Sequence, residues 1–297
     1  MQPILSRLQA GEVLVGDGGL GTLFFDRGLK PGESPEKINL DNPELVEEIY
    51  SSYLTAGSDL ITTNTFGGSP LKLAQHSLDD EIERINATAA RIARKVAGTK
   101  TYVAACIGPC GRLLEPYGDV SPQEVYESFE RQIRAIVPEN PDIILVETMT
   151  DLREATLAIK AARTIAPSLP VSASMTYNVT PNGFFTFMGV SVEQAAIGLA
   201  EAGADIIGSN CGNGIENMVL IATEYTKHTH LPLIIQSNAG LPTMKGDKAV
   251  YPETPEFMAD KCRQLLKLGV RIIGGCCGTT PEHIAAIRAI VKQENRL

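Results

Sequence analysis

The 297-residue chain contains no tryptophan and only four histidines, and aromatic residues make up 5% of it. Little is therefore available for the aromatic cage that usually holds a quaternary ammonium group. His76, His228, His230 and His283 show no metal-type spacing, so no imidazole-based metal site is expected. His283, early in the last helical segment, reads as a surface residue. Positive charge is also short: 26 Lys and Arg stand against 35 Asp and Glu, a net charge of −9. Phosphates would be repelled, which disfavours nucleic acid and anionic membrane as partners. No apolar run approaches the roughly 18 residues needed to span a bilayer. The first segment, MQPILSRLQAGE, lacks the apolar core of a signal peptide. These absences point to a cytoplasmic chain, where structural disulfides are rare. Its six cysteines are then core thiols, catalytic groups or metal ligands.

What is present is a repeating pattern. Eight short apolar runs read as strands: EVLVGD (12–17), DLITTN (59–64), TYVAACI (101–107), DIILVE (142–147), VSASMT (171–176), DIIGSN (205–210), PLIIQSN (232–238) and RIIGGCC (271–277). Most lack polar alternation, as strands covered on both faces should. Helical segments lie between them. Asn42-Pro43, Ser121-Pro122, Thr254-Pro255 and Thr280-Pro281 each place a capping residue before a proline at the first helical position. Ser121 with Glu124, and Ser191 with Gln194, have capping-box spacing. Gly57, Gly98, Gly203 and Gly269 fall where helices should stop. AGSDLIT (56–62), AGADIIG (202–208) and LGVRIIG (268–274) repeat one helix-end, glycine, strand pattern. Eight units without a linker predict an α/β fold, a single (β/α)8 TIM barrel spanning residues 1–297, rather than a doubly wound sheet.

GGCCGTTP (274–281) sets two thiols side by side between glycines. Adjacent Cα atoms are about 3.8 Å apart, too close for the roughly 4.4–6.8 Å that a disulfide prefers. Buried packing, redox pairing with other partners and metal ligation remain. Barrel active sites form at the C-terminal strand ends. Those positions hold Asp17, Asn64, Gly108, Glu147, Thr176, Cys211, Asn238 and Cys276–Cys277. Strands six and eight flank the seventh, so Cys211 can reach the pair. Three thiolates with one open position make a plausible catalytic zinc site. Cys106 and Cys262 read as packing residues, and Cys110 receives no role.

Gly16–Gly21 matches G-x-G-x-x-G, but Asp17 would oppose a pyrophosphate and the next strand starts too late for a compact βαβ unit. Exposed backbone amides beside one carboxylate instead suit an amino acid, the amides for its carboxylate and Asp17 for its ammonium. Glu147, closing an apolar strand, is expected to face the barrel mouth. A non-catalytic zinc or amino-acid-binding module, and a phosphate-binding barrel, are rival readings. The second gives the cysteines nothing to do.

The segments GDGGLGT (16–22), TNTFGGS (63–69), IGPCG (107–111), ETMTDL (147–152), GSNCG (208–212), SNAGLP (237–242) and GGCCGTTPEHI (274–284) resemble the homocysteine S-methyltransferase family. The likeness is closest to the homocysteine-binding domain at the start of cobalamin-dependent methionine synthases. It implies zinc on Cys211, Cys276 and Cys277, and an asparagine, Asn238, able to take the fourth position before substrate arrives. It also implies Asp17 and Glu147 at the homocysteine amine, the Gly18–Gly19 amides near its carboxylate, and Asn64 in the substrate pocket. Cys110 and the NCGNG stretch (210–214) depart from the family pattern. The implied activity is methylation of homocysteine, bound as a thiolate, to methionine. No Asp-x-His-x-x-Gly corrinoid motif occurs, and no second domain is expected after the barrel. The methyl is therefore expected from methylcobalamin on a separate corrinoid protein. A free sulfonium donor such as S-methylmethionine is the alternative. Phe184, Phe185 and Phe187, after the fifth strand, are the one aromatic cluster that would serve a cationic donor.

Overall fold

A computed structural model describes residues 1–246 and 248–294. Eight parallel strands build one barrel wall: β1 (Leu14–Val15), β2 (Leu60–Thr62), β3 (Tyr102–Ile107), β4 (Ile143–Met149), β5 (Val171–Met175), β6 (Ile206–Asn210), β7 (Leu233–Ser237) and β8 (Ile272–Gly275). Each falls on one of the eight expected runs. They hydrogen-bond in the order β1-β8-β7-β6-β5-β4-β3-β2. The remaining seam, β1 to β2, is bridged by Asp59: its N–H donates to Val15 O (2.7 Å), and its Oδ2 accepts from Val15 N (2.9 Å).

The same device recurs around the wall. The aspartate before β4, Asp142, accepts from Val103 N and pairs with Arg94. Before β6, Asp205 accepts from Val171 N and pairs with Arg163. Asp59 likewise pairs with Arg288. The aspartate at each of these three strand starts, two of them (Asp59 and Asp205) in the repeated helix-end, glycine, strand pattern, is thus a joint. It caps a neighbouring strand's first free N–H and ties a helix to the wall.

Outside the wall run α1 (Pro43–Ala56), α2 (Ile82–Ala97), α3 (Pro122–Ile136), α4 (Leu152–Ile165), α5 (Val192–Ala202), α6 (Ile215–His228), α7 (Pro255–Lys267) and α8 (Pro281–Glu294). Asn42 and Thr254 accept from the backbone N–H groups of Leu45 and Phe257, and both expected capping boxes form. Gly57 and Gly203 end α1 and α5 in the left-handed region. Among the described residues no helix is long and apolar enough to cross a membrane.

Side-chain parity divides the wall. Leu14, Leu60, Tyr102, Ala104, Ile143, Leu145, Ile206, Ile234 and Ile272 fill the lower interior, closed from below by Ile4 and Leu8 of the short helix Ile4–Gln9. Val15, Ile61, Val103, Ala105, Ile144, Val146, Ile207, Ile235 and Ile273 point outward into the helix layer. Gly208 in β6 stands where a Cβ would come within 1.8 Å of Ile234 O on β7. Gly208→Ala must therefore push β6 and β7 apart. We expect a loss of about 1–3 kcal/mol or more in urea denaturation, the usual cost of overpacking; an unchanged midpoint would contradict this.

Candidate active site

Counting upward by two from the apolar floor changes the chemistry. Ala104 leads to Cys106, Leu145 to Glu147, Ile206 through Gly208 to Asn210, Ile234 to Gln236, and Ile272 through Gly274 to Cys276. The inward positions of the upper wall are thus polar, and Cys106, Glu147, Gln236 and Cys276 among them line a cavity of about 210 Å³. Asp17, Gly18, Gly19, Asn64, Glu147, Cys211, Cys276 and Cys277 all line it, as expected.

The three sulfurs lie within 4.8 Å of one another, with Cys211 Sγ and Cys277 Sγ 3.9 Å apart. Tetrahedral zinc with bonds of about 2.3 Å places its sulfurs about 3.8 Å apart, so the spacing suits a metal. The charge argument agrees. Hydrogen bonds from the Cys211 and Cys276 thiols draw Cys277 down to about 3, while the thiol–thiol bonds and burial hold Cys276 far above the ordinary range. The three thiols therefore oppose one another's ionisation, and a divalent cation would let all three ionise. Asn238, flanked by these turns, is buried with an Oδ1 that has no hydrogen-bond partner. It does not belong to the cavity wall; its N–H donates to Asn213 O.

Local backbone chemistry explains the flanking glycines. Cys276 N–H donates to Ser237 O and Cys277 O accepts from Ala239 N, which ties the pair to the end of β7. Thr279 Oγ1 donates back to Cys276 O (2.7 Å) and would lie 2.1 Å from a Cβ on Gly275. Gly278, at φ +78°, leaves room for the Tyr251 ring, which would lie 2.0 Å from its Cβ. Cys211 itself has φ +59° and Thr148 has φ +61°. Such angles are costly for residues with a Cβ, most of all for β-branched Thr, and concentrate at functional sites.

Two carboxylates face the thiols. Asp17 is buried, and its Oδ2 accepts from Thr62 N (2.7 Å) and Thr62 Oγ1 (2.9 Å). Burial pushes it up to about 6 despite those bonds. Burial pushes Glu147 up to about 7, with the charges of Asp17 and Cys211 adding to the rise. Glu147 Oε1 accepts from the Cys106 thiol (2.8 Å) and Oε2 from Asn210 Nδ2 (2.9 Å). Cys106, expected as packing, is thus a buried wall residue bonded to a site carboxylate.

Asn210, the last residue of β6 and the neighbour of Cys211, carries no sequence signal of its own. Its Nδ2 reaches Glu147 and Thr148 Oγ1, and its Oδ1 accepts from Thr148 N and Ser174 Oγ. Cys276 Sγ lies 4.0 Å from Nδ2. One amide therefore fixes the acid relative to the thiols. Pro35 and Glu36, from the loop before α1, also line the cavity and carried no sequence signal. Asn64 holds that loop: its Nδ2 donates to Pro35 O (2.8 Å) and Asn39 Oδ1 (3.0 Å). Its amide hydrogens are therefore not available to a substrate. Gly19 N–H, expected near a substrate carboxylate, is likewise engaged by Thr279 O and Oγ1.

His283 is a correction. It is buried, accepts from Thr280 N (3.1 Å) at Nδ1, and donates from Nε2 to Glu253 O (2.9 Å). It anchors the start of α8 to the segment before α7. Cys262 packs inside α7 as expected, and Cys110 is buried with its N–H on Glu154 Oε1, off the cavity wall. Phe187 is exposed, and none of Phe184, Phe185 and Phe187 lines the cavity. Phe66 is the one aromatic side chain on its wall among the described residues.

A parallel barrel carries a thiol cluster and buried acids on one cavity at its strand ends, and comparison with known proteins gives its family. The chain belongs to the homocysteine S-methyltransferase family, whose family model matches residues 14–291. It is 31% identical to the methionine synthase of Mycobacterium leprae (strain TN) over 305 residues, and 32% identical to that of Mycobacterium tuberculosis (strain ATCC 25618 / H37Rv) over 304. Each alignment takes in 96% of this chain and 25% of the relative. The chain thus spans about a quarter of the length of these curated relatives. In fold it is similar to the metallated form of the homocysteine methyltransferase MmuM from Escherichia coli. That match has a TM-score of 0.81 at 24% identity and covers 97% of this chain and 99% of that one.

Proposed function

We propose that this barrel is a zinc-dependent S-methyltransferase that binds homocysteine as a thiolate and converts it to methionine, the methyl arriving from methylcobalamin on a separate corrinoid protein. The observation that carries the reading is one cavity joining a three-thiol cluster to the buried carboxylates of Asp17 and Glu147. Cys211, Cys276 and Cys277 would hold the zinc; the family resemblance alone, and no contact to the thiols, speaks for Asn238 at the fourth position. Zinc there supplies a Lewis acid that lets the acceptor thiol, ordinarily protonated near pH 7, bind ionised. Asp17 and Glu147 hold the substrate ammonium, and Asn210 keeps Glu147 at a set distance from the thiols. Gly18 borders the carboxylate end. The short 3-10 helix Pro35–Lys37 adds Pro35 and Glu36 to the cavity wall.

What the wall offers supports this choice of donor. A single partly exposed phenylalanine, Phe66, is poor material for a cationic methyl donor's cage. The resemblance to cobalamin-dependent methionine synthases favours the corrinoid route. Purified zinc-loaded protein should form methionine from homocysteine and a methylated corrinoid protein or methylcobalamin. Methionine formed rapidly from S-methylmethionine, with none from either corrinoid, would overturn the donor assignment.

A pH dependence follows from the two acids. Each is neutral below its raised value, so the ammonium loses its counter-charges as pH falls through about 7 and then about 6. kcat/KM for homocysteine should decline over that range, because it reports groups of the free enzyme. The des-amino analogue of homocysteine should not show this decline while metal content is constant. Parallel profiles for both thiols would refute the assignment.

A further inference from the structure

Glu147 and Thr148 are consecutive residues of β4, and both line the cavity. In a regular strand successive side chains point to opposite faces, so one of the two should face the helix layer. A bulge removes that alternation. Val146 pairs with Ala173 and Met149 with Met175, which leaves one more residue on β4 than on β5. Thr148 lies in this bulge, half-buried, at φ +61°. That left-handed region suits glycine or asparagine, and a β-branched residue held there costs about 1–3 kcal/mol. A turn that needed only the angle would have no use for a threonine side chain.

The hydroxyl is what threonine adds. Thr148 Oγ1 accepts from Asn210 Nδ2 (2.7 Å) and Thr148 N donates to Asn210 Oδ1 (2.8 Å), so the group is fixed beside Glu147. Accepting from an amide leaves the hydroxyl's own hydrogen free to donate. The other three threonines of the wall have used theirs. Thr22 donates to Gly19 O, Thr62 to Asp17, and Thr63 to Thr65, whose own hydrogen goes to Cys106 O. Among the described residues no Lys, Arg or His lines the cavity, and Glu36 adds a third acid to it. A substrate carboxylate there meets no cationic side chain and depends on neutral donors. The Asn64 amide and the Gly19 N–H are already engaged.

We infer that Thr148 is a substrate-binding residue whose hydroxyl donates a hydrogen bond to the α-carboxylate of the thiol amino acid, while Glu147 beside it takes the α-ammonium. The inference rests on the proposed homocysteine reading and deepens it. One carbon of the substrate bears both groups, and the bulge sets their two partners side by side on one strand. The strained angle thereby serves recognition of an α-amino acid over a simple thiol.

The test is calorimetric binding to zinc-loaded wild-type, Thr148→Val, Thr148→Gly and Thr148→Ser proteins, with metal content and melting temperature measured in parallel. Three thiols are compared: homocysteine, its des-amino analogue, which keeps the carboxylate, and its decarboxylated analogue, which keeps the ammonium. Thr148→Val keeps the shape and removes the hydroxyl. Thr148→Gly removes it in a residue that suits the left-handed angle, so the same loss is read without strain. Both should weaken homocysteine and the des-amino analogue about 10- to 100-fold, the effect of one hydrogen bond to a charged group. The decarboxylated analogue should stay within about twofold. Thr148→Ser keeps the donor and should hold all three thiols within about threefold of wild type. Unchanged homocysteine binding in Thr148→Val and Thr148→Gly would overturn the assignment while the functional reading stands. So would equal weakening of the decarboxylated analogue, which marks a role in holding Glu147 alone. Wild-type protein that binds none of the three would remove both readings.

Discussion

Replacing Cys211, Cys276 or Cys277 by serine is expected to remove most of the bound zinc and to lower methyl transfer at least about a thousandfold. The three sulfurs already lie within 4.8 Å of one another, at separations close to those of tetrahedral thiolate ligation. Removing one leaves two soft ligands and a hydroxyl that stays protonated near neutral pH. Partners of metal ligands alone cost about 10- to 100-fold in affinity when lost, so a ligand itself should cost more. Without the cation, the acceptor thiol is mostly protonated at pH 7, and its nucleophilicity falls with the thiolate fraction. Metal analysis of each variant, with turnover measured on the same samples, checks this. Full zinc content in Cys276→Ser and Cys277→Ser would defeat the proposed ligand set.

Asp17→Asn and Glu147→Gln should each raise the KM for homocysteine about 10- to 150-fold, while zinc content stays at the wild-type level. Each removes a charge from a buried site where hydrogen bonds to ionised groups contribute about 1.5–3 kcal/mol. Both carboxylates are raised by burial, so the amide variants relieve an unfavourable charge when no ligand is bound. Their folding stability should therefore not fall much, and the loss should appear in substrate affinity. The two acids share one ammonium, so the double variant should lose less than the sum of the single effects. A double-mutant cycle on KM, repeated with the des-amino analogue, separates ammonium binding from general damage. Full activity of both single variants at low homocysteine would end the amino-acid-pocket reading.

Much of this site could be read before any fold was known, and the reasons are local. Caps such as Ser121 with Glu124, and stops such as Gly57, act within a few residues of themselves, so their spacing is visible in one dimension. The strand count followed from apolar runs that are buried on both faces. Cys276–Cys277 was conspicuous because adjacent thiols between glycines rarely have a packing reason. Asp17 and Glu147 stood out as acids ending apolar strands.

Other residues were invisible for an equally physical reason. Asn210, Gln236 and Cys106 matter because they face inward, and a run buried on both faces carries no alternation to mark its inner side. His283 was read as surface because nothing nearby in sequence reveals that Glu253, thirty residues earlier, supplies its partner. Asn64 and Gly19 line the cavity, yet their donors are used by Pro35, Asn39 and Thr279 from distant segments.

The sequence by itself determined the kind of barrel, the residue types at its mouth and the thiols available for a metal, because propensity, capping and burial are set by near neighbours. Only the tertiary structure decided which side of each strand became the cavity. The hydrogen-bonded order of the eight strands, with Asp59 bridging β1 and β2, fixes which side of each strand faces inward. That parity brings Glu147, Asn210, Gln236 and Cys276 to face one another from four different strands and their ends.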